Sequence, residues 1–152
     1  MTKLPKPPSF KLFTDGACLG NPGPGGWAYI LRNDEFEVEC SGGEIKTTNQ
    51  RMEVTAVLRA LESLEVPSKV EIYADSQYVT NGLTQWMDGW IAKGWKNAAK
   101  KPVANQDLWK PLVALREIHE LTTHWIKGHD GHPENERCDV MASAEAEKVF
   151  QS

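Results

Sequence analysis

The stretch from residue 20 to residue 26 constrains the fold more than any other, because its seven residues include four glycines and two prolines. No helix can pass through such a sequence, which is typical of turns. The apolar runs on either side, Phe10–Asp15 and Trp27–Leu31, are therefore predicted to be short strands. A third run, Glu35–Ser41, follows a turn at residues 33–34. Three strands with short connections predict an antiparallel meander.

The rest of the chain combines helical periodicity with two further strands. A helix is predicted from a cap at Thr48 or Asn49 to about Leu64, because apolar residues recur there at helical spacing. Since this helix separates the strand Val70–Asp75 from the meander, that strand is expected to join the sheet through a crossover. The remaining predicted elements are helices from Ser76 to about Trp90 and from Asp107 to about Glu120, a strand Leu121–Lys127, and a closing helix from Pro133 to Phe150. This order predicts the α/β class in the mixed α+β sense, with helices packed against a five-stranded mixed sheet.

Length and composition narrow the class of protein. A chain of 152 residues is expected to form one domain, residues 1–152, with a loose Pro-rich lead-in at residues 1–9. The net charge of -4 gives no overall basic field, so any nucleic-acid binding requires a local patch. Three cysteines without a CxxC pair argue against a disulfide framework. Because the chain also lacks a signal-like N-terminus and a bilayer-spanning apolar stretch, we expect a cytoplasmic location.

Four acidic residues occur in contexts that bring a carboxylate beside apolar groups. Asp15 and Asp75 each end an apolar strand, where open α/β sheets commonly bind ligands. Glu53 and Asp139 each share a predicted helix face with small or apolar residues. Such charges are costly to bury, and each close pair repels by roughly 1–4 kcal/mol at about 4 Å. Divalent ions would compensate them, and oxygen ligands favour Mg²⁺ or Mn²⁺ over Zn²⁺. The pattern points to metal-assisted phosphate chemistry.

Each of these acids, taken singly, also fits a structural role. Asp75 could cap the helix that begins at Ser76, and Glu53 in a first helical turn would complement the helix dipole. The four lie far apart in the sequence, so only the fold could bring them together. Spacing alone leaves the catalytic and the structural interpretations open.

Four segments carry recognisable motifs. They are Phe13–Gly26 (FTDGACLGNPGPGG), Thr47–Glu53 (TTNQRME), Asp75–Val79 (DSQYV) and Lys127–Asp139 (KGHDGHPENERCD). Together, in this order, they resemble bacterial type 1 ribonuclease H (ribonuclease HI), and the similarity runs from about Phe10 to Ala146. The resemblance implies a ribonuclease H-like fold, in which an antiparallel meander and parallel strands form a mixed sheet with helices on both faces. It also implies an endonuclease that hydrolyses the RNA strand of RNA–DNA hybrids and leaves 5′-phosphate and 3′-hydroxyl ends.

The resemblance assigns the metal site and the catalytic residues. Carried over to the matching positions, Asp15, Glu53, Asp75 and Asp139 would hold two Mg²⁺ ions, for which Mn²⁺ could substitute. In the general two-metal scheme the ions lie roughly 3.5–4 Å apart, one activating water and the other stabilising the leaving oxygen. His129 would carry a proton or assist product release, which suits an imidazole of unperturbed pKa near 6.5.

The histidines near Pro133 allow another interpretation. His129, His132 and Cys138 could be zinc ligands, but their spacing fits no standard site and no fourth ligand is evident. His132 is more simply a helix-entry residue. For His129 alone a solvated loop position would be the default, and the resemblance overrides it.

The resemblance also assigns the contacts with the RNA side of the substrate. Amide side chains suit this task because each offers a donor and an acceptor to 2′-hydroxyl groups. Those assigned to the minor groove near the active site are Asn21, Asn49, Gln50 and Gln77. For Asn21 and Asn49 the structural alternative is turn or cap chemistry.

The segment Trp86–Lys110 is expected to grip the DNA strand. It holds five lysines against two acids, a net charge of +3, and four of the six tryptophans. Interleaved basic and aromatic residues suit contact with phosphates and stacking on sugars or bases. The assigned contacts are Trp86, Lys93, Trp95, Lys96, Lys100 and Lys101, together with Thr48 and Asn105 at a DNA phosphate. The structural alternative, tryptophans in the core, is expected for Trp109 and considered for Trp90.

The chain departs from the usual family pattern at three places. Gln50 stands where close relatives usually have Asn, which predicts an altered minor-groove contact. Residues 91–92, Ile and Ala, occupy a part of the segment that is often basic, which predicts weaker or more salt-sensitive hybrid binding. Asp130 follows His129 where Ala is common, and a nearby carboxylate would favour the protonated imidazole.

Two other functions share the expected fold. A non-catalytic hybrid-binding module would have no need of four carboxylates facing a polyanion. A DNA-cutting nuclease or integrase-like enzyme of the same superfamily would not need amides that read 2′-hydroxyls. The sequence therefore predicts a hybrid-specific endoribonuclease that binds no membrane and acts as a monomer without an obligate protein partner.

Overall fold

A single mixed sheet forms the centre of the computed structural model, which describes residues 6–127 and 132–152. Its strands are β1 (Ser9–Cys18), β2 (Gly23–Arg32), β3 (Glu37–Thr47), β4 (Lys69–Ala74) and β5 (Glu120–Trp125). In space they lie in the order β3-β2-β1-β4-β5. The pairs β1–β2 and β2–β3 are antiparallel, and β1–β4 and β4–β5 are parallel. The predicted combination of a meander with parallel strands is confirmed.

The helices follow the predicted order, with one irregularity. They are α1 (Asn49–Glu62), α2 (Gln77–Asn81), α3 (Met87–Ala92), α4 (Gln106–Ile118) and α5 (Pro133–Gln151). A π-helical turn, Gly82–Trp86, joins α2 to α3 where the sequence predicts one continuous helix. This wider turn begins at Gly82, which packs so closely on the Trp109 ring that an added Cβ would overlap it. Among the described residues, no helix is both long and apolar enough to cross a membrane.

Helices cover both faces of the sheet, as expected. On one face, α5 packs Cys138 and Ala142 against Phe13, Ala28 and Ile30. The other face carries the larger core, in which α1, α4 and the α2–α3 region pack on the alternate residues of β1, β2 and β4. Alternation along each strand thus divides the apolar residues between two layers.

The glycine-rich stretch differs from its prediction as a simple turn. The turn is shorter than expected, because β1 continues to Cys18 and β2 already begins at Gly23. Gly26, within β2, lies directly beneath α5, where an added Cβ would overlap the carbonyl oxygen of Ala142. Gly26 therefore allows the backbone of a helix to approach a strand, which strand propensity alone does not predict.

Candidate active site

The parallel pairing of β1 with β4 brings two of the predicted carboxylates to one edge of the sheet. The register pairs Phe13 with Tyr73, and the two rings stack with centroids 5.1 Å apart. Asp15 and Asp75 each lie two residues further along. Because both strands point the same way, both carboxylates emerge at the same end of the sheet.

Glu53 reaches this edge from α1. The helix backbone passes so close to β1 that a Cβ on Gly16 would lie 2.5 Å from the Glu53 nitrogen. Glu53 is only 5% exposed, as its predicted inward face requires. One carboxylate oxygen from each of Asp15, Glu53 and Asp75 lies within 4.8 Å of the other two. The fold thus assembles three acids that are far apart in sequence.

Asp139 lies at the border of this cluster. It is half-buried on α5, one turn before the buried Ala142. Its carboxylate does not belong to the group within 4.8 Å, yet its charge is close enough to raise the pKa of Asp15. The other predicted catalytic residue, His129, lies outside the described residues, as does Asp130.

Burial and mutual repulsion make the cluster hold protons. Burial, followed by the charge of Asp75, raises the pKa of Asp15 to about 7, although the Gly16 N–H donates to its Oδ1 at 2.9 Å. Burial, followed by the charge of Asp15, raises the pKa of Glu53 well above its ordinary value. Both shifts disfavour the charged forms, so a bound cation would relieve them.

The donor set fits a hard divalent cation. All the oxygens come from carboxylates, the ligands that Mg²⁺ and Mn²⁺ prefer. Glu53 Oε2 is buried and has no hydrogen-bond partner among the described residues. A buried acceptor without a partner is costly. Coordination to a metal would satisfy this oxygen.

The capping role considered for Asp75 belongs instead to Ser76. Ser76 is the N-cap of α2, and its Oγ accepts a hydrogen bond from the N–H of Val79 at 3.2 Å. Asp75 contributes its main-chain oxygen to another contact, accepting from the indole N–H of Trp125 at 3.0 Å. Glu53 is the fifth residue of α1, beyond the first turn, so the dipole alternative does not apply to it.

Three of the predicted substrate amides, Asn21, Asn49 and Gln50, lie at the start of α1, and the fourth, Gln77, lies at the start of α2. Asn21 Oδ1 accepts a hydrogen bond from the main-chain N–H of Asn49 at 3.0 Å, which ties the β1–β2 turn to the helix. Asn49 and Gln50 are both exposed at the helix start. Gln77 is exposed as the first residue of α2, directly after Asp75 and Ser76. The four amides therefore offer side chains to solvent on elements that adjoin the acidic cluster.

Arg51 connects the two residues assigned to a DNA phosphate, and sequence reasoning missed it. Thr48 caps α1 by accepting from the Arg51 N–H at 3.2 Å, while Arg51 Nη1 donates to Asn105 Oδ1 at 3.2 Å. Arg51 also forms a 2.8 Å ion pair with Asp107 of α4. An arginine in a first helical turn opposes the helix dipole. This unfavourable position of Arg51 was the sequence signal that an acidic partner elsewhere in the fold would compensate its charge.

The tryptophans of the Trp86–Lys110 segment form one aromatic group that ends at the surface. Trp109 is fully buried, as expected, and Trp90 contacts it edge-on with ring centroids 5.3 Å apart. Trp95 is half-buried, and Lys110 Nζ lies 5.6 Å from its ring centre. Trp86 is 37% exposed and rests against Tyr78. Trp86 is therefore the member of this group whose ring is most available to a ligand.

Three lysines of this segment, Lys96, Lys100 and Lys101, lie on a tight loop, while Lys93 ends α3 and Lys110 belongs to α4. Lys96 pairs with Pro102, and Asn97 Oδ1 accepts from the main-chain N–H groups of Ala99 and Lys101. The exposed lysines are Lys93, Lys96, Lys100, Lys101 and Lys110. None of them takes part in an ion pair within the described part of the chain.

Arginines from outside the segment bind both of its acids. Asp88 pairs with Arg116 at 2.6 Å, and Asp107 pairs with Arg51 at 2.8 Å. Because arginines from outside the segment neutralise both of its acids, these acids reduce the positive charge of the five lysines less than the net charge of +3 suggests. The five exposed lysines therefore form a local basic patch on a protein of net negative charge.

Comparison with known proteins gives consistent matches. The family model described as RNase H matches residues 7–147. Ribonuclease H of Agrobacterium fabrum (strain C58) is 57% identical over 131 residues, which cover 86% of this chain and 90% of the relative. Ribonuclease H of Paramagnetospirillum magneticum is 56% identical over 138 residues, 91% of this chain and 90% of the relative.

Two solved structures show the same fold. LC9-RNase H1, described as a type 1 RNase H with the type 2 active-site motif, has a TM-score of 0.83 and 28% identity. It covers 97% of this chain, and the match spans 76% of its own. LC11-RNase H1, solved in complex with RNA/DNA hybrid, has a TM-score of 0.72 at 22% identity, covering 93% of this chain and 99% of its own.

Proposed function

This chain belongs to the RNase H family and is a nuclease, and we propose that it hydrolyses the RNA strand of RNA–DNA hybrids. The proposed mechanism uses two metal ions and leaves 5′-phosphate and 3′-hydroxyl ends. The observation that carries the proposal is the cluster of Asp15, Glu53 and Asp75, whose oxygens lie within 4.8 Å of one another. A hybrid-bound neighbour of the same fold, LC11-RNase H1, supports the substrate.

Asp15, Glu53, Asp75 and Asp139 would hold the metal ions, Mg²⁺ by preference and Mn²⁺ as a substitute. Bound there, the ions would lower the pKa of a water and neutralise charge at the leaving oxygen. The protein contributes the orientation of its ligands. The Gly16 N–H holds Oδ1 of Asp15 through a hydrogen bond. Close packing against Gly16 holds the backbone nitrogen of Glu53 in place.

His129 completes the proposed chemistry from outside the described residues. Its imidazole would carry a proton or assist product release, because its unperturbed pKa of about 6.5 lies near the working pH. Asp130 beside it would favour the protonated ring and shift the pH profile of cleavage upward.

Recognition of the RNA strand is proposed for Asn21, Asn49, Gln50 and Gln77. Because Asn21 Oδ1 already accepts from Asn49, Asn21 has its Nδ2 group to offer as a donor to a 2′-hydroxyl. The longer side chain of Gln50 would alter a minor-groove contact relative to the usual Asn.

Recognition of the DNA strand is proposed for the Trp86–Lys110 segment and the Thr48–Arg51–Asn105 group. The half-exposed ring of Trp86 suits stacking on a sugar, and the loop lysines suit phosphates. Proposed phosphate or stacking contacts here are Thr48, Trp86, Lys93, Trp95, Lys96, Lys100, Lys101 and Asn105. The half-buried Trp95, whose ring lies beside Lys110, would contact the strand through the part of its side chain that remains exposed.

We also expect the protein to work in the cytoplasm as a monomer, as one domain over residues 1–152. All three cysteines are free, which fits a reducing compartment.

The test is a gel assay with one labelled strand in four duplexes: RNA–DNA, RNA–RNA, DNA–DNA, and a DNA duplex with one embedded ribonucleotide. Each is incubated with Mg²⁺, with Mn²⁺ and with chelator. We expect metal-dependent cutting of the RNA strand in the RNA–DNA hybrid alone.

Asp15→Asn is the matched control, because it keeps the size of the side chain and removes one ligand charge. We expect cleavage to fall by at least about 10³-fold while hybrid binding stays within about threefold, since the binding residues are elsewhere. Unchanged cleavage by this variant would contradict the proposal. Binding without cutting by the wild-type protein would indicate a binding module, and cutting of DNA–DNA a different nuclease.

A further inference from the structure

The sheet stops pairing β1 with β4 just before it reaches the acidic cluster. Their parallel register runs from Ser9 and Lys69 to Phe13 and Tyr73, two residues short of Asp15 and Asp75. Within the described part of the chain, the pairing of β1 with β4 does not extend to the two aspartates. Like charges at this edge repel one another, so an unrestrained pair of strand ends would move apart.

Asn135 bridges the two strands where their register ends. Its Nδ2 donates to the main-chain oxygen of Tyr73 at 3.1 Å and to that of Thr14 at 3.4 Å. Thr14 directly precedes Asp15, and Tyr73 lies two residues before Asp75. One amide group therefore holds both strands next to the residues that carry the site.

The position of Asn135 ties a third ligand to the same point. It is 8% exposed and lies in the first turn of α5, four residues before Asp139. Residues four apart on a helix share a face. The hydrogen bonds of Asn135 thus fix where the first turns of α5 lie relative to the ends of β1 and β4. Because Asp139 lies on the same helix, they also fix its position.

Trp125 acts in the same way on the other side of β4. Its backbone pairs with Ala74, and the next N–H, from Ile126, donates to the Ala74 oxygen at 2.9 Å. The Trp125 indole N–H then donates to the Asp75 oxygen at 3.0 Å. The Trp125 side chain thereby extends the hydrogen bonds between β4 and β5 by one carbonyl group, that of Asp75, whose side chain is a proposed metal ligand.

We propose that Asn135 and Trp125 are positioning residues, which replace sheet hydrogen bonds at the strand ends and hold the carboxylates at the spacing that the metal requires. This inference rests on the proposed metal-dependent hydrolysis. Neither side chain contacts the substrate in the proposed function. Their effect should therefore appear in metal affinity and in kcat rather than in KM for the hybrid.

The test uses Asn135→Ala and Trp125→Phe in the whole 152-residue chain. Trp125→Phe keeps an aromatic ring and removes only the indole donor, and at 47% exposure it puts little packing at risk. Mg²⁺ binding to metal-free protein is measured by titration calorimetry, and kcat and KM are measured with the RNA–DNA hybrid. We expect Asn135→Ala to weaken Mg²⁺ binding and to lower kcat by about 10–100-fold, as for residues that orient metal ligands. We expect Trp125→Phe to change both by about threefold to tenfold.

His119→Ala is the matched control for a merely structural effect. His119 is buried, and its Nδ1 accepts from the Ser68 N–H at 3.0 Å, at the opposite end of β4. The substitution removes a buried side-chain to backbone hydrogen bond without touching the active edge. We expect it to lower the midpoint of thermal unfolding while Mg²⁺ affinity and kcat stay within about twofold.

Each outcome decides a different point. Folded Asn135→Ala and Trp125→Phe proteins with wild-type Mg²⁺ affinity would overturn the inference, as would an equal loss in His119→Ala. If Asn135→Ala does not fold, Trp125→Phe alone decides. If the wild-type protein binds Mg²⁺ but does not cut hybrid, the proposed function fails, and the affinities still decide the positioning role.

Discussion

Gly16 is the residue at which the strand that bears Asp15 touches the helix that bears Glu53. A Cβ there would lie 2.5 Å from the Glu53 nitrogen and 2.6 Å from the Met52 carbonyl carbon. Both are backbone atoms, which cannot rotate away as a flexible side chain could. The closeness of the two carboxylates therefore depends on the absence of a side chain between them.

Replacing Gly16 with Ala should separate strand from helix. We expect Gly16→Ala to destabilise the protein by about 1–3 kcal/mol, because overpacking against fixed backbone strains the core. Urea unfolding measures the change, and calorimetry measures the accompanying loss of Mg²⁺ affinity.

Gly89→Ala is the control, because it changes the same atoms at a site with no neighbour. Apart from the adjacent residues and the nearby backbone of its own helix, no described heavy atom lies within 4 Å of an added Cβ at Gly89, which is inside α3. This variant should be more stable by about 0.5–1 kcal/mol. Equal effects of the two substitutions would show that the packing at Gly16 is not tight.

At the residue scale, sequence reasoning predicted the acids that form the cluster but not the residues that hold them. Asp15 and Asp75 stood out because a carboxylate ending an apolar strand conflicts with its surroundings. Asn135 and Trp125 act by donating to main-chain oxygens, and no periodicity or motif records which carbonyl a side chain meets. Such contacts can be identified only once the pairing register of the strands is known from the structure.

The loop that closes at Lys96 and Pro102 and carries Lys100 and Lys101, here called the lysine loop, is the element on which we propose that binding of the hybrid depends. Its hairpin-like closure at Lys96 and Pro102 projects Lys100 and Lys101 away from the core. We expect Lys100→Ala combined with Lys101→Ala to reduce the slope of log affinity against log salt by about 2, because each lysine would neutralise one phosphate. Hybrid binding measured from low to moderate salt gives this slope.

The control removes the same charge from the opposite end of the sheet. Lys11 and Lys69 are exposed near the starts of β1 and β4, away from the acidic cluster. Lys11→Ala combined with Lys69→Ala should leave the slope nearly unchanged. An unaltered slope in the loop variant would exclude the loop from the surface that binds the hybrid.

At the element scale, the order of strands and helices was predictable from two signals. Apolar residues recur at a different spacing in strands and in helices, and Gly- and Pro-rich stretches mark where elements end. The pieces that were not predicted depend on contacts between elements. The π-helical turn at Gly82 reflects the Trp109 ring, and the early start of β2 reflects the approach of α5 to Gly26. In both cases a glycine serves a distant partner rather than its own turn.

For the molecule as a whole, the acidic cluster makes stability depend on pH when no metal is bound. The pKa of Asp15 is about 7 in the folded protein against an ordinary value of 3.8, and that of Glu53 is also raised. Between those pH values the folded state keeps a proton that the unfolded state has lost. This retained proton stabilises the folded state relative to the unfolded state. Its contribution to the free energy of unfolding is complete below about pH 4 and is lost as the pH rises to about 7.

We therefore expect the free energy of unfolding of metal-free wild type, relative to Asp15→Asn, to fall by about 2–4 kcal/mol from pH 4 to pH 7. The comparison with the variant is needed because burial lowers the pKa of His119, which gives an opposite slope. Urea unfolding in chelator measures both proteins. Added Mg²⁺ should restore the wild-type protein near pH 7, and a constant difference between the proteins would contradict the prediction.

The separation of charge in this molecule has a consequence before any contact forms. The segment from residue 86 to residue 110 carries +3 in a chain of net charge -4, so the remainder carries -7. In the field of a polyanion such a body experiences a torque, which turns the lysine loop toward the duplex. Collisions in the wrong orientation are thereby rejected during approach. Raising the salt concentration shortens the range of this torque to about 10 Å at 0.1 M, so productive encounters should then depend on chance rotation.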